Sequence, residues 1–102
     1  MQAQRKPIIT PRDYLAMERL APARSEYYAG EIYAMAGASP NHSEIIANLA
    51  YSLVGQLKGR NCHVHPTDLR VHVSKSGLYT YPDVVVVCGR RRYTDSQDDT
   101  LL

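Results

Sequence analysis

Tyr81-Pro82-Asp83-Val84-Val85-Val86-Val87-Cys88-Gly89 is the stretch on which the fold turns. Four consecutive β-branched residues without polar alternation predict a strand covered on both faces, as inside a mixed or parallel sheet. Pro82 suits the first residue of such a strand, where no ladder donor is needed. Asp83 then stands where rigid backbone meets solvent, and a group carried on such an element is held in a defined place. A carboxylate held this way is a good hard-metal ligand. Its plainer reading is a solvated strand-end aspartate.

Upstream, Leu69, Val71 and Val73 alternate with Asp68, Arg70 and His72, which predicts a strand with one apolar and one polar face. Cys62 to His65 is strand-like, Pro66 interrupts, and Lys75-Ser76-Gly77 is a turn. Ser39-Pro40-Asn41-His42 starts the longest helix, over about 40–58, because serine can cap and proline suits the first helical position. Ile45, Ile46, Leu49, Leu53, Val54 and Leu57 recur at three- and four-residue spacing and predict one broad buried stripe, with Gly59 as a stop. Thr10-Pro11-Arg12-Asp13 repeats the same start signal, and Tyr14, Leu15, Met17 and Leu20 follow as a short amphipathic helix ending near Pro22. Ser25-Glu26-Tyr27-Tyr28 and Glu31-Ile32-Tyr33-Ala34-Met35 around Ala29-Gly30 read as a β-hairpin of open turn type. Residues 1–9 are expected to fray, and 90–102 to form a polar tail. The order is helix, hairpin, helix and further strands, an α+β arrangement.

At 102 residues the chain makes one domain at most. With 44% hydrophobic and 22% charged residues its composition is that of a globular protein. Trp and Phe are absent, so eight tyrosines supply all the aromatic area. A net charge of +2 does not by itself imply a nucleic-acid partner. Basic residues do cluster locally, at Arg90-Arg91-Arg92 behind the valine run and at Lys58 and Arg60 behind the long helix. Such clusters are also what a solvated surface looks like. Cys62 and Cys88 lack metal-ligand spacing and are expected to be reduced, buried small hydrophobes in a cytoplasmic protein. No apolar run approaches the roughly 20 residues that cross a membrane.

Three acids fall on predicted strands: Glu31, Asp68 and Asp83. His42 falls in the first turn of the long helix. Carboxylates converging from neighbouring strands would suit Mg²⁺ or Mn²⁺, and such an ion activates water and neutralises phosphodiester charge. His63, His65 and His72 invite a zinc reading but have no fourth ligand. No Gly-rich phosphate loop, Ser–His–Asp order or reactive-cysteine signature is present.

Several ordered motifs carry a family resemblance. They are Glu26-Tyr27-Tyr28-Ala29-Gly30-Glu31-Ile32, Met35-Ala36-Gly37-Ala38-Ser39-Pro40-Asn41-His42, Thr67-Asp68-Leu69-Arg70-Val71 and Tyr79 through Gly89. Through Ser25 to Leu102 the chain resembles the Uma-type family of restriction-endonuclease-like proteins, within the PD-(D/E)XK nuclease superfamily. The resemblance implies a restriction-endonuclease-like α+β fold, with the long helix packed on a mixed sheet. It implies DNA phosphodiester hydrolysis dependent on Mg²⁺ or Mn²⁺, with Asp83 as a metal-binding aspartate. Asp68 is implied as a second metal or supporting acid, Glu31 as a supporting acid and His42 as a neighbour in the site.

Family members continue with a strand carrying the second metal-binding acid and a helix carrying a basic residue. Asp95, Asp98 and Asp99 lie in the polar tail and do not replace them. The chain therefore resembles the front half of a nuclease domain, truncated before the last core strand, and impaired hydrolysis is the expectation. Losing the next strand would leave Val84 to Val87 as an apolar edge, which invites pairing with another chain. A homodimer or higher homo-oligomer through that edge or the helix stripe is expected. Arg90, Arg91 and Arg92 are the candidate phosphate contacts. The alternatives are a catalytically silent dimerisation or nucleic-acid-binding module, and a fragment of a longer nuclease.

Overall fold

Thr10 accepts a hydrogen bond from the Asp13 amide (3.1 Å), and with Pro11 at the first position this starts helix α1, Pro11–Glu18. The computed structural model describes residues 8–102. The frayed start expected for residues 1–9 thus falls mostly outside the described residues. Ile9 itself is anchored: its amide donates to Gly30 O (3.0 Å), and its carbonyl accepts from the Tyr27 hydroxyl.

Strands β1 (Ser25–Tyr28) and β2 (Glu31–Ala34) form an antiparallel hairpin. Ala29 (φ 49°) and Gly30 (φ 85°) are both left-handed, which makes the connection a type I′ turn. A Cβ on Gly30 would stand 2.8 Å from Ile8 Cγ2, so the position needs glycine for space as well as for φ. Strands β3 (Cys62–Pro66), β4 (Arg70–Val73), β5 (Leu78–Thr80), β6 (Val84–Cys88) and β7 (Thr100–Leu101) follow. One mixed sheet has the order β2-β1-β5-β4-β7, antiparallel except where β7 joins β4 in parallel. Its core is aromatic: Tyr14, fully buried, stacks on Tyr27 (5.1 Å between centroids) and leans on Tyr79 (5.4 Å).

Helix α2 (Pro40–Gln56) starts as the sequence predicts, with Ser39 Oγ accepting from the His42 amide (3.1 Å). Its packing departs from expectation. α2 lies against β3, which pairs antiparallel with β6 in a separate two-stranded sheet, rather than on the mixed sheet. A two-stranded ribbon covers only the middle of the apolar stripe. Ile46, Leu53 and Leu57 are half-buried, whereas Ile45 (64% exposed) and Val54 (56%) on the two flanks are open. The valine strand is likewise not covered on both faces: Val84, Val85 and Val87 are half-buried and Val86 is exposed, because β3 is its one strand neighbour among the described residues.

Two further expectations are corrected. Cys62 and Cys88 are directly opposite in the β3–β6 register and form a disulfide. They are therefore neither free nor fully buried. The segment 90–102 is not simply a polar tail: Thr100 and Leu101 are buried, and the chain folds back so that Thr94 N donates to Thr100 O (2.9 Å) and Leu102 N to Arg92 O (2.9 Å). Its aspartates serve a polar network under the sheet edge. Arg19 bonds Asp99 (2.8 Å) and Asp95 (2.9 Å), and Arg70, expected on an exposed polar face, is buried beside Asp99.

Arg19 holds the Asp99 carboxyl well below the ordinary carboxylate range, against the opposing effect of burial, and Arg70 adds to the lowering. Asp95 is lowered by Arg19 and by the Gln97 amide. A carboxyl depressed in the folded state stabilises it fully above the unfolded value near 3.8, and the contribution is lost as pH falls below that. Melting followed by circular dichroism is expected to show a midpoint that falls steadily below about pH 4. Asp99→Asn should be less stable at neutral pH and flatten that fall; an unchanged slope would remove Asp99 from the account.

Candidate active site

Two start signals converge in space. α2 runs from its capped N-terminus alongside β3, and β6 runs antiparallel to β3, so α2 and β6 begin at the same end. His42 Nε2 lies 3.1 Å from Asp83 Oδ2, with side chains 48% and 59% exposed. The two side chains are within ion-pairing distance, and the pairing is ionic only when the imidazole is protonated. Asp83 keeps its place because Pro82 and β6 fix the backbone on either side. His42 keeps its own because its amide is tied to the Ser39 cap.

The other candidates sit elsewhere. Asp68 precedes β4 in a turn closed by its amide on Pro66 O (2.7 Å). Its side chain is 93% exposed and 3.4 Å from Arg24 Nη1, which bonds Thr67 O (2.7 Å) and Thr67 Oγ1 (2.6 Å) more closely. Glu31, exposed at the start of β2, accepts from the Tyr33 hydroxyl (3.1 Å). His72 stacks on Tyr79 at 4.2 Å. His65 Nε2 accepts from Arg91 Nε (3.1 Å), and burial first, then the charges of Arg91 and His63, lowers its pKa. Among the described residues no group of three or more His, Cys, Asp or Glu side chains could hold a metal ion. Arg90 and Arg92 are exposed just behind β6, and Arg91 is half-buried against β3.

Of the acids nominated from the sequence, the structure brings only Asp83 together with His42. One carboxylate oxygen with open solvent around it suits one position of a six-coordinate Mg²⁺ or Mn²⁺, ions that keep several waters and take one or two carboxylates. The imidazole suits Mn²⁺ better than Mg²⁺. The pair fits part of such a site and does not enclose one. What sequence reasoning missed is a groove between α2 and β3 in which His63, His65 and Arg91 come together. The period-two histidines and the triple arginine were visible, but their meeting depends on the β3–β6 register.

The profile of the Uma2 family, described as "Putative restriction endonuclease", matches residues 11–101. Two proteins of Synechocystis sp. (strain ATCC 27184 / PCC 6803 / Kazusa), both uncharacterized, are similar. One is 36% identical over 91 residues, covering 89% of this chain and 48% of the relative. The other is 36% identical over 89 residues, covering 87% of this chain and 50% of the relative. The chain thus spans about half the length of the curated relatives it matches. No solved structure is a significant match.

Proposed function

This chain belongs to the Uma2 family, whose description is "Putative restriction endonuclease", and from that membership we propose that it carries the Asp83 part of a metal-dependent site for hydrolysing DNA phosphodiester bonds. The observation that carries the reading is the meeting of Asp83 and His42 at the common end of β6 and α2 (3.1 Å). A bound Mg²⁺ or Mn²⁺ supplies water activation and charge neutralisation at the phosphate. Asp83 provides one ligand oxygen on a rigid strand end. His42 pairs with that carboxylate and limits its rotation, and Arg90, Arg91 and Arg92 are the phosphate contacts. Asp68 and Glu31 enter only as supporting acids, since each is engaged with a neighbour of its own. Asp83 and His42 supply part of such a site, and weak hydrolysis by this chain on its own is the expected result.

Titration calorimetry of Mn²⁺ into the wild type and Asp83→Ala, with plasmid nicking alongside, tests this. The expected result is a binding heat that weakens at least tenfold, about 1.4 kcal/mol, in the variant, with nicking lost. Equal binding by both proteins would remove Asp83 from the site.

A second reading, a dimerisation module, is favoured by the open side of β6 and the exposed flanks of α2. An unpaired apolar strand edge is a template for pairing, and C₂ dimers are the commonest solution. Sedimentation at micromolar concentration is expected to give a homodimer, and a clean monomer would count against it. The setting is cytoplasmic, where Cys62–Cys88 is open to reduction. No helix among the described residues is long and apolar enough to cross a membrane.

A further inference from the structure

Away from the Asp83–His42 pair, the C-terminal half of α2, the turn after it and β3 border an open groove of about 870 Å³. Lys58, Arg60, His63, His65 and Arg91 line it, and no carboxylate does. None of Lys58, Arg60 and Arg91 has a carboxylate within ion-pairing distance among the described residues. Arg91 spends only Nε, on His65, so its two Nη nitrogens have no acceptor among the described residues. Three cations lining one groove, without counter-charge among the described residues, make a focused positive field that favours an extended anion. Tyr51, exposed on α2 and lining the same groove, offers an aromatic ring for stacking.

The direction of the groove ties it to the site. It follows β3, whose His65 is opposite Val85 and whose Cys62 is opposite Cys88. At about 3.3 Å per residue, Cys88 is roughly 17 Å along the strand from Asp83. Successive phosphates along a sugar–phosphate backbone are about 6–7 Å apart, roughly twice their 3.4 Å rise along the duplex axis, so two or three of them fit along that distance.

We propose that the groove between α2 and β3 is the track for the sugar–phosphate backbone of a DNA strand, leading it to the Asp83–His42 end. This rests on the nuclease reading and adds to it the surface that holds the substrate. Contacts of this kind position the strand without reading its sequence.

The test is fluorescence anisotropy of a labelled 20-mer DNA of arbitrary sequence, single-stranded and duplex, in EDTA over a range of salt. Lys58→Gln/Arg60→Gln is the main variant, because neither side chain makes a hydrogen bond among the described residues. Arg91→Gln is the second variant, and Arg12→Gln/Lys75→Gln is a control that removes two exposed charges elsewhere. The groove double variant is expected to weaken binding at least tenfold and to lower the salt slope by about 2, near 0.9 per lost phosphate contact on duplex. The control should change affinity less than twofold. Equal losses in groove and control variants, no loss in the groove variants, or polyphosphate binding as tightly as DNA would each overturn the proposal. Working without metal separates the two readings: DNA binding through the groove is measured even if Mn²⁺ binding or nicking at Asp83 fails.

Discussion

Arg70→Met is expected to cost about 3–5 kcal/mol and to lower the melting midpoint by more than about 10 °C. Arg70 is buried, and each arm of its guanidinium has a task. Nε donates to Thr100 Oγ1 (2.8 Å), which holds β7 against β4. Nη1 donates to Tyr81 Oη (2.8 Å), whose own hydrogen goes to Glu18 Oε2 (2.6 Å). Nη2 lies 2.9 Å from Asp99 Oδ2 without the alignment of a hydrogen bond, so that contact is an ion pair. Glu18 also accepts from the Ser25 amide (2.8 Å), which ties α1 to β1. One cation thus links α1, β1, β4 and β7.

Removing it leaves the buried Glu18 without its nearby counter-charge and Thr100 without a donor. That is the costly way to disturb a buried ionic network. Asp99 keeps Arg19, which places the loss toward the lower end of the range. Thermal melting with limited proteolysis of residues 94–102 would check it, since local detachment of β7 should precede global unfolding. A midpoint within about 3 °C of wild type would show that packing, not charge, holds β7. A double-mutant cycle with Asp99→Asn should return a coupling of about 1 kcal/mol or more.

Tyr14→Ala is expected to destabilise by about 3–5 kcal/mol, the range for deleting a large buried aromatic side chain. Tyr14 is fully buried between Tyr27 and Tyr79, and those two rings are themselves 5.7 Å apart edge-on. In a chain without Trp or Phe, these three rings are most of the core under the mixed sheet. Tyr14 also donates its hydroxyl to Ser25 O (2.6 Å), and burial raises its pKa well above the ordinary tyrosine value. Tyr14→Phe keeps the rings packed and loses one hydrogen bond, so about 1 kcal/mol is expected. Denaturant titration should place the two variants clearly apart. Similar losses from both would mean that the hydroxyl, rather than the ring stack, is the main contribution.

The legible parts of the fold are those set by neighbours along the chain. Thr10-Pro11 and Ser39-Pro40 start helices where expected, and Gly30 closes the hairpin. The meeting of His42 and Asp83 was half legible. Each is announced by a local signal, a capped helix start and a Pro-Asp strand mouth, but the 3.1 Å between them needs β3 to set α2 beside β6. Glu31 and Asp68 have other neighbours, Tyr33 two residues along the same strand and Arg24 across 44 residues, and no motif in the sequence announces the second of these. A polar residue at an alternating position looks the same whether it faces water or, like Arg70, is buried beside a partly exposed acid.

By itself the sequence determined where helices and turns start and which residue heads the valine strand. Caps, prolines and positive-φ glycines act over about four residues, so their free energies are decided locally. The tertiary structure alone decided the Cys62–Cys88 bridge across 26 residues, the Arg19–Asp99 contact across 80, the strand at Thr100–Leu101 and the basic groove. These depend on register and on which surface covers which, and the alternation of side chains along a strand is compatible with more than one partner until pairing selects one.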